Sequence, residues 1–435
     1  MNNSKLEHLV GIKKIAFLMY MYSIGLLLKG LKMIVRIIIR GLTKVFKGYG
    51  ALLLWLAFWQ KEATDEVTVT AEAEAEMNIF KRMVERYKRR VARRILRHRQ
   101  WKEQDTINFL INNAIYIVIL GLILVVIIQE PKFLSVNVFR NILTQSSVRL
   151  ILAFGVGGII ILQGTDLSLG RSVGFAAIIS ASLLQSPDYA SRFYTNLPQL
   201  PLILPLIIVM IVAAFFSAIN GFVVAVFKIH PFLATLGASV ALFGILSMYF
   251  ASGDPGPQPI GGFDTRYVQL VTGQLNVFGF QLPKLIVYAA IVTFLIWILW
   301  NKTTFGKNMY AVGGNPEAAK ISGVSVVKTT ILVYIVAGVL YGLGGYLEAA
   351  RIGSASNGTG FNYELDAIAA CVVGGISFSG GIGKVSGAVA GVLMFTIISY
   401  GMNFLGLDVF YQYIIKGVII VAAVALDTRK YLVKT

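Results

Sequence analysis

The chain has 435 residues, 56% hydrophobic and 14% charged, with 39 Lys/Arg against 21 Asp/Glu for a net charge of +18. An ordinary soluble domain is about 25% charged, so a soluble enzyme, a disordered tail protein and a disulfide scaffold are excluded. Apolar runs of spanning length recur without the short polar–apolar alternation of a barrel, which predicts an all-α polytopic membrane protein.

Residues 1–105 hold 21 of the basic residues and 10 of the acidic ones. They are read as a basic N-terminal extension ahead of a transmembrane domain at 106–435. Lys29, Lys32, Arg36, Arg40, Lys44 and Lys47 fall at spacings of 3 and 4, one face of a helix with Ile34, Val35, Ile37, Ile38 and Ile39 around the rest, as in an interfacial helix. The apolar stretches Ile15–Leu28 and Gly48–Trp59 are 14 and 12 residues long, short for a span. The first lacks an Ala-x-Ala-like cleavage site, so no signal peptide is expected. Residues 61–77 form an acidic linker. Residues 81–102 carry eleven Lys/Arg and one acid, Glu85. A span begins just afterwards, so this run is assigned to membrane lipid on the cytosolic side, at about 1 kcal/mol per basic residue, and not to nucleic acid.

Ten candidate spans follow, at 109–128, 148–163, 171–186, 200–227, 232–251, 283–300, 329–347, 366–380, 385–405 and 411–426. Basic residues in short loops set the orientation. The 81–102 run, the 301–328 loop (Lys302, Lys307, Lys320, Lys328) and the tail (Arg429, Lys430, Lys434) are predicted on the cytosolic side. The 252–282 loop, with Arg266 against Asp254 and Asp264, is predicted outside. Ten spans place both termini in the cytosol.

Two interruptions break the apolar pattern. Gly164-Thr165-Asp166-Leu167-Ser168-Leu169-Gly170 cuts a run of nearly forty residues. Asp166 at membrane depth marks a broken helix on a substrate path, or caps the helix that follows. The second is 348–383, with Glu348, Arg351, Glu364 and Asp366 before a glycine–serine string. Small residues permit close helix approach and broken helices beside a transport pathway. Glu348 and Arg351 read equally well as a local ion pair, and the string as tight packing. Asn220, inside the 200–227 run, reads as an interhelical hydrogen bond or a path residue. His230-Pro231 marks a helix boundary. Cys371 lies in an apolar run and reads as a core residue. Three scattered histidines offer no metal cluster, and neither Gly306-Lys307 nor Gly383-Lys384 completes a phosphate-binding loop.

The cytosolic loop at 311–325 reads AVGGNPEAAKISGVS. After Gly313 and Gly314, Asn315 is placed as N-cap and Pro316 at the first helical position, with Glu317 at the positive end. Ala318 and Ala319 favour helix, and Gly323 ends the turn. A short small-residue helix held between two spans suits a docking knob or an ordinary capped loop.

Glu317-Ala318-Ala319-x-x-x-Gly323 resembles the EAA motif of ABC-importer permeases. GGNPEAAKISGV, GTDLSLG and ELDAIAACVVGGISFSGG are similar to the sugar-permease branch of the branched-chain amino acid and sugar permease family. NILTQSSVR (141–149), WNKTTFGKN (300–308), LEAARIGSA (347–355) and YQYIIKGVII (411–420) resemble members of that branch that import galactose and methyl galactosides. The resemblance covers 106–435 and leaves out 1–105. It implies an ABC-importer permease fold in the cytoplasmic membrane, with no chemistry and no cofactor of its own. It implies a homodimer joined to an ATPase subunit that binds ATP-Mg, and an external sugar-binding protein. Gly313, Gly314, Asn315, Glu317, Ala318, Ala319 and Gly323 would form the ATPase-docking loop. Asp166, Ser168, Asn220, Glu348, Glu364 and Asp366 are the candidate translocation path. An ion- or proton-coupled carrier is the alternative, with Asp166, Glu348, Glu364 and Asp366 as coupling carboxylates. A lipid-binding scaffold explains neither interruption.

Overall fold

The computed structural model describes residues 114–432, apart from 278 and 279. The N-terminal domain expected at 1–105 lies outside the described residues. Helix α1 (Ala114–Gln129) leads through a short 3-10 turn at Pro131–Leu134 to α2 (Val136–Ile161). There follow α3 (Leu169–Leu183), α4 (Ile203–Phe227), α5 (Pro231–Ala251) and α6 (Thr265–Thr272). Strands β1 (Gln274–Val277) and β2 (Phe280–Pro283) make an antiparallel hairpin, a small exception to the expected all-α fold. The chain continues as α7 (Lys284–Lys302), α8 (Thr304–Gly314), α9 (Pro316–Ile321), α10 (Val326–Ile352), α11 (Tyr363–Val373), α12 (Val385–Phe404) and α13 (Val409–Leu432).

Short polar residues set many helix starts by accepting a free backbone N–H. Ser135 accepts from Val138, Thr303 from Gly306, Asp264 from Arg266 and Ser325 from Lys328. His230 caps α5, with Pro231 at its first position, as the sequence signal placed it.

Each of the ten expected segments coincides with a helix, but the expected count of ten spans is not matched by ten helices of spanning length. Among the described residues six helices are long and apolar enough to cross a membrane: α2, α4, α5, α7, α10 and α12. Helices α3 and α11 have only 15 and 11 residues. At 1.5 Å per residue α11 reaches about 16 Å, roughly half a bilayer core. Composition registers an apolar run there but not that the backbone turns out of the helix before crossing.

Helix α10 is the hub and packs on α4, α3 and α2. Glycines make the seams possible. A Cβ at Gly338 would lie 2.5 Å from the Ala213 carbonyl oxygen, and one at Gly342 would lie 2.6 Å from the Met210 Cα. Gly345 approaches Val173 on α3 in the same way. In lipid such close approach is a main source of helix–helix attraction. Helix α2 is buried over 83% of its most apolar window, α5 over 17%. Helices α4, α5 and α7 turn Ile211, Phe215, Val240, Met248 and Phe294 outward, as a lipid-facing rim requires.

Helix ends sort into two sets. At one, Ile161, Gln163, Gly313 and Ser379–Gly381 meet, with Gly164 against Pro231. At the other, Phe133 meets Phe404 edge to face, Gln185 bridges to Phe263 and Ile260 to Ala355. The apolar segments run between these two ends.

Candidate translocation path and docking loop

At the first interruption α2 ends at Ile161 and α3 begins at Leu169. Asp166 folds the connection on itself: its Oδ1 accepts from the Ser168 backbone N–H at 2.9 Å and from the Ser168 hydroxyl at 2.6 Å. The carboxylate therefore caps the turn. The Asn220 amide on α4 donates to the Ser168 Oγ at 2.9 Å, an interhelical bond of the kind its apolar setting suggests. The Thr235 hydroxyl on α5 accepts from Leu167 N–H at 3.1 Å and donates to the Pro231 carbonyl at 2.9 Å. Asp166, Ser168 and Asn220 thus form one network, and all three are buried. The Tyr341 hydroxyl faces the Asp166 carboxylate, and the Thr165, Ser217 and Tyr334 hydroxyls are buried without a hydrogen-bond partner. Buried polar atoms are rarely left so, and this concentration beside a helix break is the mark of a polar core within the membrane domain.

The second interruption builds a separate network. Arg351 donates to both Glu348 oxygens at 2.6 and 2.7 Å, and the Tyr363 hydroxyl donates to Glu348 at 2.5 Å. This is the local ion pair that their spacing allowed. Arg149 on α2 also lies within the field of Glu348, and its Nη1 is buried and unpartnered. Asp366, in the first turn of α11, accepts from Lys416 on α13, 3.0 Å to each oxygen. Arg149, Tyr363, Asp366, Phe395 and Thr396 border a cavity of about 10 Å³, room for roughly one water. Glu364 belongs to neither pair. Its carboxylate lies on the Gly170 backbone, where a Cβ would come within 2.2 Å. Beside it the Arg171 guanidinium sits 4.4 Å above the Phe243 ring and 5.4 Å from Phe361.

The six expected path residues divide into Asp166–Ser168–Asn220, the Glu348 pair, the Asp366 pair and Glu364. Sequence reasoning missed Arg149, Tyr363, Lys416, and Tyr334 and Tyr341 of α10. The signal for the cations was available, since each interrupts an apolar helix.

At the candidate docking loop Asn315 Oδ1 accepts from Ala318 N–H at 3.0 Å, with Pro316 at the first position of α9. Gly323 has φ +85 and nothing near it, so it turns the chain where other residues are strained. Gly314, Asn315, Glu317, Ala318 and Gly323 are exposed, whereas Gly313 and Ala319 are buried against the body. Ile321, which the motif does not single out, is 88% exposed, a prominent apolar contact on the face of α9.

Residues 138–424 match the family model for the branched-chain amino acid transport system permease component. The chain is 49% identical over 330 residues to the galactose/methyl galactoside import permease of Haemophilus influenzae, covering 76% of this chain and 98% of that protein. It is 49% identical to the Escherichia coli protein of the same description, over 76% of this chain and 97% of that one. It is 35% identical to the ribose import permease of Bacillus subtilis, over 71% of this chain and 90% of that protein. No solved structure matches the chain.

Proposed function

The chain belongs to the branched-chain amino acid transport system permease component family and is a permease subunit of an ABC importer, and from that premise we propose that its cargo is galactose or a methyl galactoside. It is a multi-pass membrane protein of transport, not an ion-coupled carrier and not a lipid scaffold. The observation that carries the sugar assignment is the 49% identity, spread over nearly the full length of permeases named for that cargo.

In this reading the membrane domain is a gate and a separate subunit holds ATP-Mg. Two copies of the chain would enclose the path, and an external binding protein would deliver sugar at the end carrying the β-hairpin. Both termini would lie in the cytosol with α9, which docks on the ATPase through Glu317, Ala318 and Ile321. Support comes from α9 standing exposed at the same end as the close of α2 and the 376–383 loop. ATP binding and release would present two surfaces to α9, and a difference in contact between two permease states is what makes that a drive. The unpartnered hydroxyls around Asp166, and the Arg149–Asp366 side, offer the mixed donors and acceptors a sugar needs at depth.

The test is uptake by proteoliposomes holding this chain, its ATPase subunit and its binding protein. ATP-dependent accumulation of galactose above ribose and xylose is expected. Preference for another sugar class would refute the cargo.

A further inference from the structure

We propose that Gln163 is the pin that carries displacement of the docking segment into the helix break at Asp166. The inference rests on the docking reading of 315–323 and deepens it by naming the residue that transmits the motion.

Gln163 follows the end of α2 and has φ +63, a left-handed backbone that non-glycine residues seldom adopt. That conformation turns its side chain out of the helix and across to two other segments. The amide Nε2 donates to the Gly313 carbonyl at 2.9 Å and to the Ser379 carbonyl at 3.1 Å. One amide thus spends both its hydrogens on two segments 150 and 216 residues away in sequence.

Close backbone contacts surround the Gln163 bridge. Gly381 N–H donates to the Ile161 carbonyl at 2.8 Å. A Cβ at Gly313 would stand 1.9 Å from that same oxygen, and one at Gly380 would stand 2.3 Å from both Gln163 Cγ and the Gly313 oxygen. The Tyr310 hydroxyl donates to the Gly383 carbonyl at 2.9 Å. No slack lies between the end of α8, the end of α2 and the 376–383 loop.

Position along the chain completes the argument. Gly313 is two residues before Asn315, the cap of α9, and Gln163 is three residues before Asp166. The 376–383 loop leads into α12. A shift of α9 must therefore pull on both the Asp166 turn and the start of α12, and Gln163 is the side chain that joins them.

The test uses Gln163→Gly and Gln163→Glu in the reconstituted complex with ATPase subunit and binding protein. Glycine keeps the left-handed backbone without the amide. Glutamate keeps the length without the donors. Both variants are expected to co-purify with the ATPase subunit as the wild type does and to keep basal ATP hydrolysis. Sugar moved per ATP hydrolysed is expected to fall about tenfold, within the usual range of coupling between sites. Unchanged sugar per ATP in both variants overturns the proposal. So does loss of co-purification in the variants, which would make Gln163 a fold support for the docking segment. Failure of the wild type itself to capture the ATPase would instead overturn the docking reading beneath it.

Discussion

Asp166 and Asp264 show how one residue type serves two ends of this molecule. Asp166 is sealed in the membrane domain and holds the Ser168 hydroxyl and N–H. Asp166→Ala leaves these donors unmatched and is expected to cost about 1–3 kcal/mol of stability, seen as a lower melting temperature in detergent. Uptake is expected to fall more than co-purification with the ATPase, and wild-type uptake would reduce Asp166 to a dispensable cap. Asp264 caps α6 beside the β-hairpin and accepts from Arg266 and from Gln199 at 2.7 Å each. The Arg266 guanidinium holds its carboxyl below the ordinary aspartate value. A carboxylate lowered on folding stabilises above its unfolded value and loses that contribution as pH falls through the folded one. The melting-temperature gap between wild type and Asp264→Asn is therefore expected to hold at neutral pH and to close below about pH 4. A gap that widens in acid would contradict the pairing.

At the scale of elements, α10 and α9 carry the clearest consequences. Gly342 presses α10 onto α4 with no room for a side chain. Gly342→Leu is expected to overpack that seam and cost about 1–3 kcal/mol or more, read as loss of folded, monodisperse protein. Wild-type stability would mean the seam is looser than its geometry. Gly323 is the opposite case, in open space at φ +85, so Gly323→Trp meets no clash and pays chiefly in backbone, about 1–2 kcal/mol. The variant is expected to fold and yet to lose sugar-stimulated ATP hydrolysis by the partner. Normal stimulation would remove α9 from the coupling route. Helices α9 and α11 were legible to different degrees in the sequence. The N-cap, proline and glycine of α9 are local grammar, and Asn315, Pro316 and Gly323 stand where that grammar puts them. The half-length of α11 was less legible: the chain leaves the helix at Gly374-Gly375, with Gly375 at φ +83, inside an apolar run whose hydropathy continues past the stop.

For the whole molecule, broad class and family followed from composition and a few phrases, because apolar runs and motifs are written in neighbouring residues. The pairings at the candidate path were not, because Lys416 and Asp366 lie 50 residues apart and only tertiary packing joins them. Lys416 was visible in YQYIIKGVII as a charge within an apolar run, and Gln163 carried no sequence signal, since its role follows from a left-handed φ. What emerges is a domain whose polar interior lies between two ends, one bearing the hairpin and Asp264, the other bearing α9 and the Gln163 joint. In the proposed function that second end faces the cytosol and grips an ATP-hydrolysing subunit. The direct measurement is crosslinking from Ile321→Cys in sealed vesicles of known orientation, where the native Cys371 is buried. Capture of the ATPase subunit, with protection from a membrane-impermeant reagent in right-side-out vesicles, is the predicted result. Labelling from the outside, or reaction that never captures a nucleotide-hydrolysing neighbour, would contradict it.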